Sequence, residues 1–540
     1  MFINFNDIPG HNRLFLDYLY KFENVKDFYG SNFRSKEDFL LKFKNTAEQF
    51  SIRNEIHNII AGQYAGKEIS LKTQKNISLL KEKKTLAVVT GQQLGILGGP
   101  LYTFYKTITA LKLCSYLNER YDEYQFVPVF WLEADDHDFE EVRSISLING
   151  NNEIRKISYG DEQLPEENAG SVGYLKFTDS INIFFDELNK VLRDTEFKQP
   201  LMEKLRASFS KDKTFKQAFT ELLFWIFDQY GLILFDPQDI KVKNILKPIF
   251  KKEISDFRQH TEKLVYVSAK LEELYHAQVK VRPINLFYNF DGGRYLIEPI
   301  ENEYRLKGKR KKFTHDELIG LIENEPYNFS PNVLLRPVCQ DYLFPTVFYI
   351  AGPSEIAYFA QALPLYNIFQ IQPPIFYPRS SATIMEKNIS TIMEKFGLEI
   401  RDVFVDSESL KRRIIESISK NSLNEIFNGA MNNIELILDQ LKEKLFEIDK
   451  TMSESSTRYK QKIINDLNVL KEKSLEAEKK KHEITLRQID KVSNILFPNS
   501  NLQEREFNFI YFTDKYGMDF IKQIFDELSI NKFEHQIITI

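Results

Sequence analysis

The residues with the clearest chemical potential form an acidic run, Glu133-Ala-Asp-Asp-His-Asp-Phe-Glu-Glu141, with six acids and one histidine in nine residues. Like charges this close cost free energy unless a cation, an amine or a proton is bound among them. Asp135, Asp136 and His137 could bind an ammonium group, hold a metal ion or supply a general base, and we predict that they are catalytic. The alternative is structural: Asp138 caps a helix that begins with the last two glutamates of the run, an interpretation we prefer for those glutamates.

A second candidate is the glycine-rich segment Gly91-Gln-Gln-Leu-Gly-Ile-Leu-Gly-Gly-Pro100. Its glycines let the backbone approach a ligand closely, its amides could bind an anion, and Lys106 follows early in the next helix. The spacing matches neither the nucleotide P-loop nor the dinucleotide-binding fingerprint. Such loops are often only tight turns, so both interpretations stay open.

A third group of polar residues lies inside an apolar frame between residues 334 and 361. Its members are Arg336, Gln340, Glu355, Tyr358 and Gln361. Glu355 and Tyr358 have the spacing of one helix face, and an arginine such as Arg336 can clamp a carboxylate by two hydrogen bonds. A buried ion pair between Arg336 and Glu355 is an equally good interpretation. A further strand-like run ends at Arg379, which places another anion-binding side chain at a strand end.

Two apolar runs of strand type precede the first two candidates. Residues 85–90 lead into the glycine-rich segment, and residues 126–132 lead into the acidic run. Phe104, Ile108 and Leu111 have helical spacing between them, which predicts a strand–loop–helix–strand unit with a right-handed crossover. Ligands of parallel α/β sheets bind beyond the carboxyl ends of the strands. We therefore expect both candidates at one edge of a parallel sheet.

The remainder of the body and the tail show mixed patterns. A helical run at 215–230 alternates with strand-like runs at 232–235 and 283–288, which predicts a mixed α/β body. Near the end, residues 507–512 are rich in strand-forming side chains, and residues 517–528 have the pattern of a short amphipathic helix. We expect this tail to return to the body.

Between residues 379 and 497 there is no proline and there are only two glycines. An apolar stripe at heptad spacing runs through Leu438, Leu441, Leu445, Ile448 and Met452. A polar break at 453–458 precedes a second helical run, which predicts an antiparallel helical hairpin. Such a narrow stripe belongs either to a structural arm or to a dimerisation surface, and we favour a homodimer. The predicted domains are a core at 1–380, a helical arm at 381–500 and a tail at 501–540.

The composition describes a globular chain of 540 residues, 43% hydrophobic and 28% charged. The 72 Lys and Arg against 77 Asp and Glu leave a formal net charge of −5, which disfavours nucleic-acid binding. The two cysteines, Cys114 and Cys339, suggest neither a disulfide framework nor a zinc site, as is typical of the cytoplasm. The histidines other than His137 lie apart without metal-ligand spacing, and no signal peptide or membrane segment is evident. We therefore expect a cytoplasmic protein without a metal centre.

Several motifs together resemble one family. They are Thr90-Gly-Gln-Gln-Leu-Gly, Gly-Gly-Pro-Leu-Tyr-Thr-Phe-Tyr-Lys106, Pro128-Val-Phe-Trp-Leu-Glu-Ala-Asp-Asp-His-Asp-Phe-Glu-Glu141, Arg336-Pro with Gln340 and Tyr342, and Ala351-Gly-Pro-Ser-Glu-Ile-Ala-Tyr358. The chain resembles the BshC family, the cysteine-adding enzymes of bacillithiol biosynthesis, over essentially its whole length. The resemblance implies a Rossmann-like core with connecting-peptide insertions, akin to class I aminoacyl-tRNA synthetases, and an antiparallel coiled coil that forms a homodimer. It also implies a ligase that joins L-cysteine to the amine of glucosaminyl-malate through an amide bond.

With this resemblance, the Asp-Asp-His group suits either the base that deprotonates the amine or the site of the cysteine ammonium. The glycine-rich segment and Lys106 suit the malate carboxylates or a phosphate, and Arg336 or Arg379 suits another carboxylate. The substrate-binding candidates are Gly91, Gln92, Gln93, Gly95, Gly99, Tyr102, Lys106, Glu133, Asp138, Arg336, Gln340, Glu355, Tyr358, Gln361 and Arg379.

The nucleotide cofactor stays open, with ATP, or ADP as a bound nucleotide, as the candidate. The His-Ile-Gly-His and Lys-Met-Ser-Lys-Ser signatures of class I synthetases are absent, although Arg379-Ser-Ser381 has a comparable position. Two other functions are compatible with the sequence. One is a non-catalytic nucleotide- or sugar-binding dimer, and the other is a synthetase-like protein that binds RNA, which the net charge disfavours.

Overall fold

The computed structural model describes residues 1–160, 168–418, 423–481 and 483–540. The α-helices are α1 Arg13–Tyr20, α2 Lys36–Gln49, α3 Arg53–Gln63, α4 Leu71–Leu79, α5 Leu101–Arg120, α6 Phe139–Val142, α7 Ser180–Val191, α8 Lys198–Ser208, α9 Phe215–Phe227, α10 Ile240–Ile245, α11 Lys247–Leu274, α12 His315–Asn324, α13 Arg336–Leu343, α14 Pro353–Phe369, α15 Lys387–Lys395, α16 Ser407–Ile418, α17 Leu423–Ile448, α18 Lys450–Lys481, α19 Glu483–Leu496, α20 Gln503–Glu506, α21 Ile510–Tyr516 and α22 Asp519–Glu527. The strands are β1 Phe2–Ile3, β2 Thr85–Gln93, β3 Gln125–Glu133, β4 Ser144–Ile148, β5 Ile154–Ser158, β6 Ile233–Phe235, β7 Leu286–Phe290, β8 Gly293–Ile300, β9 Glu303–Leu306, β10 Lys312–Phe313, β11 Phe329–Pro331, β12 Thr346–Ala351, β13 Ile375–Pro378, β14 Ser381–Met385 and β15 His535–Thr539.

The chain divides into two compact units. The first contains Met1–Ile384 and Asn501–Ile538, and the second contains Met385–Ser500 and Thr539–Ile540. The tail therefore belongs mostly to the first unit. No helix among the described residues has the length and apolar character that a membrane crossing requires.

A five-stranded parallel sheet forms the centre of the first unit, with strand order β13-β12-β2-β3-β6. Its strands are apolar and buried on both faces, as expected for a parallel sheet covered by helices. The predicted α/β class with a Rossmann-like sheet is confirmed, and α5 is the predicted crossover helix between β2 and β3. Strand β2 continues past its predicted end at Thr90, because Gly91–Gln93 pair with Trp131–Glu133 of β3. A side chain at Gly91 would place its Cβ 2.9 Å from the carbonyl oxygen of Trp131, so this register requires glycine.

Two insertions interrupt the parallel sheet. The hairpin β4–β5 and helices α7–α9 lie between β3 and β6 in the chain. An antiparallel sheet of order β10-β9-β8-β7-β11 lies between β6 and β12. The second insertion supplies site residues, because β8 begins and β11 ends at the cavity described below.

The tail corrects one prediction. Residues 507–512 form no strand: Phe507 makes a single bridge with Ser146, and helix α21 begins at Ile510. Phe509 is fully buried and packs on Phe104, with ring centroids 4.5 Å apart. Tertiary packing of these aromatic side chains overrides their strand propensity. The amphipathic helix predicted at 517–528 is confirmed as α22.

The second unit contains the predicted antiparallel hairpin, formed by α17 and α18. Lys460 pairs with Asp439 at 2.8 Å and Lys471 donates to Asn428 at 3.2 Å, so the two helices run in opposite directions. The predicted break at 453–458 is wrong, since these residues lie inside α18. The turn is at Asp449, whose carboxylate accepts hydrogen bonds from the amide and hydroxyl of Thr451 and so caps the second helix.

Candidate active site

A cavity of about 570 Å³ opens in the first unit at the carboxyl ends of β2, β3, β12 and β13. This is the edge at which parallel α/β sheets bind ligands. Twelve of the predicted site residues line it: Gly91, Gln92, Gln93, Tyr102, Lys106, Glu133, Asp136, His137, Arg336, Glu355, Tyr358 and Arg379. The structure therefore brings the three polar groups of the sequence together in one place.

Six predicted site residues do not line the cavity: Gly95, Gly99, Asp135, Asp138, Gln340 and Gln361. Asp138 caps α6 by accepting the amide of Glu141 at 3.1 Å. Gln340 accepts a hydrogen bond from Arg336 at 3.1 Å. Gln361 bonds the backbone of Val279 at both its amide and its carbonyl, 2.8 Å each. These side chains position other groups of the site and do not face a ligand.

The glycine-rich segment is a tight turn. Gly95 and Gly99 are so close that a Cβ on Gly95 would lie 2.7 Å from the Cα of Gly99. The amides of Gly95, Gly98 and Gly99 donate to carbonyls within residues 93–96, and Asn508 donates to the carbonyls of Leu97 and Gly99. Because these amides are satisfied within the turn, they do not form an anion-binding cradle.

Lys106 is buried and surrounded by acceptors of its own chain. Its ammonium lies 2.5 Å from Glu355, 2.9 Å from the side-chain oxygen of Gln92 and 3.0 Å from the carbonyl oxygen of Gly91. An ammonium has three N–H groups, so no donor is left for an anionic ligand. Glu355 in turn accepts from Tyr349 and from the amide of Gly352. Lys106 therefore fixes the end of β2 to the start of α14.

Arg336 pairs with Glu133 and not with Glu355. Its Nε lies 3.2 Å from Glu133, and its two other nitrogens donate to Gln340 and to the hydroxyl of Tyr358, each at 3.1 Å. Arg336 does form an ion pair, but its partner is Glu133 at the end of β3 and not the predicted Glu355.

The pKa of Glu133 is shifted toward neutral pH. Burial raises its pKa to about 7; the charge of Arg336 opposes that shift, and Asp135 and Asp136 add to it. A carboxylate that titrates near neutral pH is suited to accept and release a proton.

Asp136 has the opposite character. Burial would raise its pKa, but the hydrogen bonds from Gln93 and from the backbone amide of His137, together with the charge of Arg294, outweigh burial, so its pKa lies well below the ordinary range. Gln93 donates to Asp136 and to Glu141, and the amide of His137 donates to Asp136 at 2.7 Å. Asp136 is therefore a permanent anion that suits an ammonium ligand better than it suits base catalysis.

Asp135 lies beneath the cavity floor in a buried ion pair. Lys243 donates to it at 2.6 Å and Gln238 at 3.2 Å. Lys243 also donates to the carbonyl of Phe329 on β11, so the pair connects β3 with the second insertion. Asp135, Asp136 and His137 do not converge on one point, and no three potential metal ligands do so among the described residues.

Arg379 reaches the cavity at the end of β13. It pairs with the buried Glu504 at 2.6 Å, and its guanidinium lies over the ring of Tyr102, 5.3 Å from the centroid. Glu504 also accepts from the hydroxyl of Ser381 and the amide of Ala382. The tail thus supplies the carboxylate that orients Arg379.

Sequence reasoning missed four cationic residues of the cavity: Lys280, Arg282, Arg294 and Arg505. No local pattern distinguished the first three from surface charges, and Arg505 lies in the short helix α20 of the tail, far in sequence from the other site residues. Seven Lys and Arg side chains line the cavity against four carboxylates, which gives it an excess of positive charge.

Comparisons with known proteins agree with this architecture. Residues 1–380 match the family model described as Bacillithiol biosynthesis BshC, N-terminal Rossmann-like domain, and residues 382–540 match Bacillithiol biosynthesis BshC, C-terminal coiled-coil domain. Relatives named "Putative cysteine ligase BshC" occur in Salinibacter ruber, 32% identical over 97% of this chain and 96% of the relative, and in Chloroherpeton thalassium, 32% identical over 98% and 96%. A third, in Chlorobaculum tepidum, is 31% identical over 95% and 94%. The chain, with its parallel sheet, basic cavity and helical arm, belongs to the BshC family.

Proposed function

We propose that this protein is a ligase of bacillithiol biosynthesis that joins the carboxyl group of L-cysteine to the amine of glucosaminyl-malate. The observation that carries the proposal is a single cavity, in a member of this family, that combines a near-neutral carboxylate with an excess of cations. The relatives' name supports the cysteine ligase reaction, and the sugar substrate is our inference.

The excess of positive charge suits an anionic substrate. Lys106, Arg336 and Arg379 are each paired with a carboxylate of the chain. Lys280 and Arg282 form no hydrogen bond or ion pair with any other described residue, and Arg505 likewise offers a free guanidinium. We assign these three cations to the two carboxylates of the malate group, because arginine forks match carboxylates geometrically.

The reaction forms a C–N bond and requires an activated acyl group on cysteine. The amine attacks the acyl carbon, the leaving group departs with its electron pair, and the attacking nitrogen loses a proton. Glu133 accepts that proton, since its raised pKa lets it take up a proton near neutral pH and release it afterwards. Asp136 binds the ammonium group of cysteine as a fixed anion.

Activation of a carboxylate normally requires a nucleoside triphosphate, and ATP is the candidate. The glycine-rich turn does not fit a phosphate, because its amides are satisfied internally. The cavity cations that keep a free donor, Lys280, Arg282 and Arg505, are those assigned to the malate group, so the described residues of the cavity provide no separate phosphate site.

The arm is proposed to form a homodimer with a second copy of the chain. Large apolar side chains of the hairpin are more than half exposed: Ile426, Leu436, Ile437, Phe446, Ile448, Tyr459, Val469 and Leu470. Of the predicted heptad stripe, Leu441, Ile448 and Met452 are exposed as well, and so much exposed apolar surface on a long hairpin is typical of association with another chain. The hairpin of a second copy of the chain has the same exposed apolar residues. We therefore infer that a second copy covers this surface.

The test is reconstitution of the reaction with purified protein. The protein is incubated with L-cysteine, glucosaminyl-malate, ATP and Mg²⁺, with and without cell extract, and the thiol product is followed by mass spectrometry. Product from the purified protein supports the ligase, and product only with extract shows that the acyl donor is not ATP alone. Binding of glucosaminyl-malate by calorimetry with no product under either condition would favour the non-catalytic binding protein.

A further inference from the structure

We infer that Arg294 holds His137 as the neutral imidazole with its proton on Nε2, so that His137 donates a hydrogen bond into the cavity and does not act as its base. Arg294 is a positioning residue in this scheme. The tautomer follows from the geometry alone; the role of the donor in amide formation rests on the proposed function.

The guanidinium of Arg294 is held on every side. Its Nε donates to the hydroxyl of Ser330 at 2.8 Å, and one terminal nitrogen donates to the carbonyl of Pro331 at 2.9 Å. Its plane lies over Phe287, with the central carbon 3.8 Å from the ring centroid. The other terminal nitrogen lies 3.0 Å from Nδ1 of His137. The side chain is buried, so this arrangement is rigid.

The direction of the hydrogen bond between Arg294 and His137 is fixed by chemistry. A guanidinium has only donors, so Nδ1 must accept and must carry a lone pair. In a neutral imidazole the proton then resides on Nε2. Protonation of Nδ1 would turn two donors and two positive charges toward each other.

Asp136 is the other charged group that faces this imidazole. Its carboxylate oxygen lies 3.5 Å from Nδ1, longer than the contact with Arg294, and already accepts the backbone amide of His137. Nδ1 can make one hydrogen bond in the ring plane, and the shorter contact takes it. Asp136 balances the charge of Arg294 and does not receive the imidazole proton.

Nε2 is the free end of the ring. The side chain of His137 is 39% exposed and lines the cavity, and no described residue hydrogen-bonds Nε2. An N–H at this place suits an acyl oxygen, which gains negative charge when the amine attacks. His137 and Glu133 then have distinct roles, as oxygen stabiliser and proton acceptor.

The direct test is ¹⁵N NMR of the full-length protein labelled at histidine, with His137 assigned by the signal lost in His137→Gln. We expect a pyridine-type Nδ1 and a pyrrole-type Nε2 at neutral pH. In Arg294→Met the ring should turn its proton on Nδ1 toward Asp136, and Arg294→Lys should restore the wild-type pattern. A charged ring or a protonated Nδ1 in the wild type at neutral pH would overturn the inference, without any need for a variant to fold.

Activity gives a second test that separates this inference from the proposed function. The amide nitrogen of glutamine occupies the place of Nε2, whereas that of asparagine occupies the place of Nδ1. We expect His137→Gln to retain at least about tenfold more kcat than His137→Asn, a part of the roughly 10²- to 10³-fold that one oxyanion donor contributes. Equal loss in both would refute the donor role. If the wild type makes no product, the proposed function fails, and the NMR result still decides the tautomer.

Discussion

Glu133→Gln is the most informative perturbation of this site. The side chain lies at the end of β3, is largely buried and pairs with Arg336, and burial raises its pKa to about 7. Glutamine keeps the size of the side chain and an oxygen that can accept from Arg336, so the fold should persist. It cannot take up the proton of the attacking amine. Removal of a general base typically lowers the rate by about 10²- to 10⁴-fold, and we expect kcat to fall within this range.

The pH dependence follows from the same pKa. A base must be ionised, so the rate rises as pH passes upward through the pKa. With a pKa of about 7 the ionised fraction rises about tenfold between pH 6 and pH 8, whereas an ordinary glutamate is almost fully ionised at both values. The wild-type kcat should therefore show an acidic limb near pH 7, and Glu133→Gln should lose that component.

The assay is product formation at saturating substrates across pH 6 to 8, with each variant checked for folding by circular dichroism. Glu140→Gln is the matched control: Glu140 lies in the same acidic run, outside the cavity, in an exposed pair with Arg143. It should keep the wild-type rate and profile, including any contribution from titration of the substrate amine. An acidic limb of equal size in Glu133→Gln, or a loss of less than about tenfold in kcat, would refute the assignment of Glu133 as the base.

Three further predictions concern the framework. Gly95→Ala should destabilise the protein by about 1–3 kcal/mol in denaturant unfolding, since the new Cβ would lie 2.7 Å from the Cα of Gly99. The control is Gly62→Ala in α3, where a Cβ would meet no atom within 4 Å, and it should be neutral or slightly stabilising. Lys243→Met should lower the free energy of unfolding by about 3–5 kcal/mol, and with it the melting temperature, because Asp135 is left buried without its cation. The control is Lys241→Met, which removes an exposed lysine and should have little effect. An unchanged melting temperature for Lys243→Met would contradict the buried pair. Ile448→Glu with Leu436→Glu should give a monomer in light scattering with its helix content retained, and Lys444→Glu should stay dimeric. A dimer in the double variant would show that these exposed apolar residues do not form the interface.

Much of the core could be predicted from local sequence. The apolar runs at 85–90 and 126–132, with helical spacing between them, have one common solution, a parallel sheet with a crossover helix. The glycine-rich segment and the acidic run follow those strands, so their common location at the sheet edge was also predictable. The predictions failed where the residue types alone do not distinguish between secondary structures. The aromatic residues at 507–512 fold as a turn and the start of α21, and the polar residues at 453–458 lie within α18.

The roles within the site depended on contacts between residues far apart in the chain. Arg294 is 157 residues from His137 in the chain, and the fold of the second insertion, which contains β8, brings the two together. The position of Lys106 after the glycine-rich segment suggests that it binds an anionic ligand, but its ammonium is paired with Glu355 from a helix distant in the chain. The raised pKa of Glu133 results from burial, which no local pattern reports. The sequence by itself determined which strands form, and hence the edge at which chemistry occurs, because periodicity and glycine act locally. Only the tertiary structure decided which acid has a pKa near neutral pH, which cation is free and which nitrogen holds the proton, because these depend on desolvation and on partners from elsewhere in the chain.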